Sequence, residues 1–496
     1  MNKLCNKNMT FEECELVILR SAVDKAEHIV RKTAINSPDI NKILVIVENF
    51  IKKKSLVCYG GTAINNILPK QDQFYDKDIE IPDYDFFSPN ALNDAKELTD
   101  LYFKSGFKEV EAKSGMHHGT YKVFVNFIPI ADITFLHRDL YKSIKKESIR
   151  VAGILYAPPN YLRMSMYLEL SRPVGDISRW EKILKRLTLL NKHYPLKSEK
   201  CQDQDFQREM MEDKFESEIY DNVKNTLVNQ SVVFFGGYAM SMYAKYMPKD
   251  LHNQVKKIPD FDVISEDAYV TAEIVVERLK DININNARII KNPEIGDVIP
   301  TNYQILIGKD TIAFVYEPIA CHSYNIISVK GQQIKIATID TMLSYYLAFL
   351  YSGKKYYDTD RILCMANYLF EVQEKNRLEQ KGLLKRFSVT CYGHQKTVAE
   401  VRSEKAEKFR ELKVNRNSKE FEEWFLSYRP ADSKNPAKKQ IATKKQNPRN
   451  KTSKTKNYKS RRNIEDHQYI KKIFGKNYKK YKNKTKKRKK NDDFFL

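Results

Sequence analysis

Four stretches of this 496-residue chain occur twice, in the same order and at nearly constant spacing. LVCYGGTAI at 56–64 returns as VVFFGGYAM at 232–240, and IPDYDFFS at 81–88 returns as IPDFDVIS at 258–265. YKVFVNFIPIADITFLH at 121–137 lines up with YQILIGKDTIAFVYEP at 303–318, and YAPPNYLRMSMYLELSRP at 156–173 with IATIDTMLSYYLAFLYSG at 336–353. The offsets are 176, 177, about 181 and 180. One such match is within the reach of chance, but four in register mark a duplicated α/β unit rather than a solenoid.

Each copy carries the same grammar. An amphipathic helix (DINKILVIVENFIKKK, 39–54) leads to a short buried strand, a Gly-Gly turn and a helix from about Thr62. An extended IEIPDYDFFS strand follows, then a helix near 91–104 and strands near 107–112 and 121–136. A helical stretch covers 179–194, and 200–230 reads as a charged connecting helix. The expected organisation is an N-terminal helical segment (1–38), the first copy (39–198), the connector (199–230), the second copy (231–380), a helical extension (381–433) and a Lys-rich tail (434–496).

Charge divides the chain more sharply than hydropathy does. Between Lys434 and Lys490 there are 24 Lys or Arg against two acids, Glu465 and Asp466; with Asp492 and Asp493 the segment carries +20 of the net +23. The body is therefore nearly neutral and the tail a polycation, expected to be disordered by itself. Tyr458, Tyr469, Phe474, Tyr478 and Tyr481 interleave with its lysines, as suits a segment that neutralises phosphates and stacks on bases. A solubilising tail or an import signal at KKRKK are the plainer readings. No apolar run is long enough to span a membrane and the start lacks a secretory pattern. Seven scattered cysteines without a CxxC point to free thiols in a reducing compartment and away from zinc.

The chemistry concentrates after the first Gly-Gly. On a strand, residues two apart share a face, so Asp83 and Asp85 project together. Two adjacent carboxylates repel unless a cation sits between them, and hard divalent ions such as Mg²⁺ (or Mn²⁺) prefer oxygen ligands shared with substrate phosphates. Gly60-Gly61 lets the backbone approach a ligand closely, and the helix start beyond it favours an anion. Asp132, in PIADITF, supplies a third carboxylate for a two-metal site. Taken singly, each piece has a bland reading: a turn, a solvated strand edge, a helix cap. Their order and spacing together make a metal–nucleotide site the better one. Cys58 beside the loop reads as core, and His117-His118 as a turn.

A Gly-Gly turn, an hDhDh strand and a later third Asp resemble the DNA polymerase β-type nucleotidyltransferase superfamily. With YLRMSMYLELSRPVGDISRWEKILKRL at 161–187 and the duplication, the chain more closely resembles the poly(A) polymerase catalytic subunits of poxviruses and giant DNA viruses, over about 40–370. The resemblance implies an α+β nucleotidyltransferase fold in tandem, with Gly60, Gly61 and Thr62 holding the triphosphate of ATP. It implies that Asp83 and Asp85 bind both metals, and that Asp132 binds the metal that activates the 3′-hydroxyl of the RNA. Arg163 and Lys182 are candidates for holding triphosphate or RNA, or are simply exposed helix charges.

The second copy keeps Gly236, Gly237, Asp260 and Asp262, but Ala313 or Phe314 falls opposite Asp132. It is expected to be degenerate, kept for architecture or RNA contacts. The leading expectation is addition of AMP to mRNA 3′ ends. An oligoadenylate or cyclic-dinucleotide synthase and a non-catalytic RNA-binding scaffold remain open beside it. A homodimer or processivity partner is possible on this reading. The viral resemblance implies the host cytoplasm or the virion as location.

Overall fold

The computed structural model describes residues 5, 8–35, 37–76, 81–196, 201, 206, 216–247, 260–296, 298–354 and 356–430. The Lys-rich tail and most of the connector at 199–215 lie outside them. After α1 (Phe11–Ile35), helix α2 (Pro38–Lys54) buries Ile40, Ile43, Val47, Phe50 and Ile51, the 3–4 spacing its sequence carries. Pro38 opens it and Ser55, in left-handed backbone at φ 51°, closes it.

The first lobe continues with β1 (Val57–Cys58), α3 (Gly60–Ile67), β2 (Tyr84–Ser88), α4 (Ala91–Lys104), β3 (Val110–Ser114), β4 (Thr120–Val125) and β5 (Ile128–Phe135). It ends with α5 (Arg138–Lys146), β6 (Ile149–Val151), β7 (Ile154–Tyr156), α6 (Pro159–Leu170) and α7 (Trp180–His193). Two expectations are corrected. Strand β2 starts at Tyr84, so Asp83 stands in the extended segment leading into it. The single strand expected over 121–136 is a hairpin: Asn126 and Phe127 both have positive φ (49° and 68°), the twist a two-residue turn needs between antiparallel strands.

The second lobe comprises α8 (Glu216–Asn229), β8 (Val233–Phe234), α9 (Gly237–Tyr243), β9 (Phe261–Ile264), α10 (Ala268–Asp281), β10 (Ala287–Asn292), β11 (Asn302–Ile307), β12 (Asp310–Tyr316), β13 (His322–Val329), β14 (Gln332–Ala337) and α11 (Ile339–Phe349). After α12 (Thr359–Lys375) come β15 (Cys391–Tyr392), α13 (Val398–Leu412), α14 (Lys419–Phe425) and β16 (Ser427–Tyr428).

Among the described residues the strands form two eight-stranded sheets, ordered β16-β3-β4-β5-β2-β1-β7-β6 and β10-β11-β12-β9-β8-β14-β13-β15. Without the added edge strands β16 and β15, the orders correspond strand for strand. The pair types correspond too: β2 and β5 run parallel, as do β9 and β12. The central strands are apolar on both faces (Phe86 and Phe87; Val263 and Ile264), as strands covered on both sides must be. The equivalent helices α6 and α11 pack on each other, with Tyr161 edge-on to Tyr351 at 5.4 Å between ring centroids.

The thiol expectation is also corrected. The fold brings Cys5 to Cys14, Cys201 to Cys364 and Cys321 to Cys391 as disulfides, while Cys58 stays a buried free thiol in the core. Partners separated by as many as 163 residues leave no spacing signal in a sequence. No described helix is long and apolar enough to cross a membrane.

Candidate active site

Three carboxylates meet at the carboxyl end of β1 and the start of β2. Parallel pairing of β2 with β5 sets Asp85 directly opposite Asp132, and Asp83 precedes them on the same side of the chain. They line a cavity of about 1530 Å³ shared with the start of α3, with α6 and with α7. The Gly-Gly loop fits against them. Gly60 has φ +72°, and a Cβ there would stand 2.6 Å from Asp85 Oδ2, so the loop needs glycine twice over. Tyr59 N–H donates to the Asp85 carbonyl (2.9 Å), and Thr62 Oγ1 donates to the Asp83 carbonyl (2.8 Å), tying the loop to the acidic strand through main-chain groups.

The electrostatics are those of a site short of positive charge. Burial first, then Asp83 and Asp132, push the Asp85 carboxyl up to about 7. The enclosing walls and then Asp132 raise Asp83, although its own surface meets solvent. Asp132 Oδ1 is buried without a hydrogen-bond partner among the described residues. Its other oxygen pairs with Lys122, the residue facing it on β4. Oxygen donors, an orphaned acceptor and two carboxyls reluctant to ionise together fit a hard divalent cation. Among the described residues no trio of Asp, Glu, His or Cys side chains is already drawn together at ligating distance, Lys122 standing at Asp132 instead.

Of the basic candidates, Lys182 lines the cavity and Arg163 does not. Arg163 is 1% exposed; its guanidinium donates to Asn191 Oδ1 (2.7 Å), to Asn160 and to the Tyr194 carbonyl. That is the corrected reading: a buried cross-brace between α6 and α7, with burial lowering its pKa to about 10. The neighbouring face of α6 presents Leu162, Ser165, Met166 and Glu169 to the cavity, so a helix rotation of one residue separates brace from lining.

Arg179 and Arg186 went unassigned in the sequence. With Lys182 they follow a 3–4 spacing, the one signal that marked a common basic face. Arg186 lies over the rings of Phe74 and Tyr75, donates to Tyr75 Oη (2.8 Å), and its Nη1 stands 2.8 Å from where a Gly61 Cβ would be. It is thus the guanidinium that faces the glycine loop. His117, from the β3–β4 turn, lines the cavity, while His118 packs on Trp424 with centroids 4.4 Å apart.

In the second lobe, Asp262 pairs with Phe314 in the register that joins Asp85 to Asp132 in the first. Of the two residues expected there, Phe314 holds the place, fully buried against Tyr316, Tyr356 and Tyr357. Asp262 crowds Gly236, in the space that a Cβ on that glycine would need.

Comparison with known proteins agrees with this geometry. Residues 45–176 match the family model described as "Poly(A) polymerase catalytic subunit". A protein of African swine fever virus, described as a candidate poly(A) polymerase catalytic subunit, is 33% identical over 180 residues, 35% of this chain and 38% of that one. A protein of Acanthamoeba polyphaga mimivirus with the same description is 26% identical over 285 residues, 55% of this chain and 46% of its own length. The matched stretches thus span less than half of these relatives. The crystal structure of the Megavirus polyadenylate synthase shares the fold, with TM-score 0.72, 21% identity, and coverage of 90% of this chain and 91% of that one. The segment that carries the glycine loop and the three carboxylates is thus the one that is similar to the poly(A) polymerase catalytic-subunit model.

Proposed function

We propose that the chain is a template-independent polynucleotide adenylyltransferase, adding AMP from ATP to RNA 3′ ends. The observation that carries this reading is the Asp85–Asp132 pairing across β2 and β5, with Asp83 beside it and the Gly60–Gly61 loop against it. Asp83, Asp85 and Asp132 would hold divalent metal, Mg²⁺ or Mn²⁺, which when bound lowers the cost of bringing a hydroxyl and a triphosphate together. The free N–H groups at the start of α3 face the triphosphate, and Arg186 and Lys182 supply positive charge on its far side. Asp132 faces the RNA 3′-hydroxyl. That oxygen, its proton passing to solvent, attacks the α-phosphorus of ATP as the bond to pyrophosphate breaks. The polycationic tail is assigned RNA retention between additions, and the viral relatives suggest the host cytoplasm or virion as location.

Extension of a short labelled RNA, with each nucleotide in turn and with metal present or chelated, tests the reading. ATP-dependent laddering should vanish with chelation and with Asp83→Ala, and persist in Asp260→Ala, whose site lacks a third carboxylate. Small products from ATP without RNA would instead indicate an oligoadenylate or cyclic-dinucleotide synthase. RNA binding without any product would indicate a scaffold.

A further inference from the structure

Lys122 lies on β4 directly opposite Asp132, and its ammonium pairs with Asp132 Oδ2. The duplication supplies an internal comparison. In the second lobe β11 pairs with β12 so that Gln304 faces Phe314. Phe314 occupies the place of Asp132, and Gln304 therefore occupies that of Lys122. The copy that lacks the third carboxylate lacks the lysine as well. A lysine kept for sheet stability or solubility would have no reason to disappear with one acid, whereas a counter-ion of that acid loses its purpose at the same step.

We infer that Lys122 is a resident counter-cation of the three-carboxylate site, neutralising Asp132 while no metal is bound and displaced from it when a divalent cation enters. Three carboxylates left unbalanced in a walled cavity would repel one another, and an ammonium on a flexible stem relieves this without closing the site. The lysine side chain is 40% exposed and Asp132 17%, so the ammonium has open solvent to swing into. Two consequences follow. The lysine competes with metal for Asp132 and sets how much metal is needed to load the site. Once displaced, it stays on the strand beside the carboxylates as a cation for incoming phosphate.

This rests on the carboxylates being a metal site, and the test separates the two claims. Binding of Mn²⁺ to the full chain without nucleotide is measured by calorimetry or electron paramagnetic resonance for the intact protein, Lys122→Gln, Lys122→Arg and Asp132→Asn. A competing partly exposed ion pair predicts binding about two- to fivefold tighter in Lys122→Gln, with Lys122→Arg close to the intact protein. Lys122→Gln should also show a larger Mn²⁺-induced rise in melting temperature, which a lysine serving the fold alone would not alter. Equal or weaker binding by Lys122→Gln, with normal binding by the intact protein, overturns the inference. No binding by the intact protein, or undiminished binding by Asp132→Asn, overturns the metal-site reading beneath it.

Discussion

Asp85 shows how little freedom a residue in this site has. Its neighbours on the chain, Tyr84 and Phe86, point into the core, the Gly60 main chain covers one carboxylate oxygen, and Asp132 faces it across the sheet. Its carboxyl, raised from 3.8 to about 7, is a cost to the metal-free fold. A raised folded-state value means the destabilisation is absent below about pH 4 and grows as pH rises toward about 7. Asp85→Asn in metal-free protein should therefore melt higher than the intact chain at pH 8, by about 1–3 °C, and alike near pH 4. On the proposed metal site, saturating Mg²⁺ should reverse the order at pH 8, because only the carboxylate would gain from the metal. Thermal melts at the two pH values, with and without metal, check both signs.

At the scale of elements, α6 and α7 carry arginines whose roles differ although their sequence settings look alike. Arg163 satisfies Asn160, Asn191 and the Tyr194 carbonyl inside the packed pair. Its replacement by Ala should cost about 2–4 kcal/mol, seen as a lower denaturation midpoint, because the packing of a buried side chain is lost and three half-buried polar groups lose their partner. Arg186→Ala leaves the packing of Ile183, Leu187 and Leu190 in place. On the proposed function, its expected effect is a fall of about ten- to a hundredfold in kcat/KM for ATP with an unchanged melt, as for loss of one charged contact to phosphate. Steady-state kinetics beside a melt distinguishes a brace from a ligand.

At the scale of the whole molecule, the described fold closes on itself before the tail begins. Strand β16 pairs with β3, Arg429 is bound by Glu111, and Lys405 Nζ donates to the Gly115 carbonyl (2.6 Å) beside the His117 turn. Removing 434–496 should accordingly leave the melting temperature unchanged within about 1 °C, since the buried core and the strand pairings described all precede residue 434 and stay in place. If the tail holds RNA as proposed, the same deletion should weaken RNA binding and flatten its salt dependence, because up to 24 cationic side chains leave with it. A filter-binding salt series with a shortened product ladder supports the retention role. An unchanged salt slope removes it.

The duplication, the glycine loop and the acidic trio were legible in the sequence because each rests on local rules: period-two strands, backbone reach at glycine, and repetition in register. So was the lost third acid of the second copy, though two candidates stood there until the Asp262–Phe314 register selected one. Other features were settled by tertiary structure alone. The turn at Asn126-Phe127 hides within an apolar run, because two non-glycine residues adopt positive φ to suit the twist of the hairpin. The burial of Arg163 depends on which face of α6 meets α7, and a helix with apolar residues nearly all round does not announce that face. The three cysteine pairs and the Lys122–Asp132 contact join residues that only the folded chain makes neighbours. Sequence determined which chemical groups this protein owns and in what order. Tertiary structure decided which of them share a cavity, because cross-strand register and helix rotation are set by packing of the whole core.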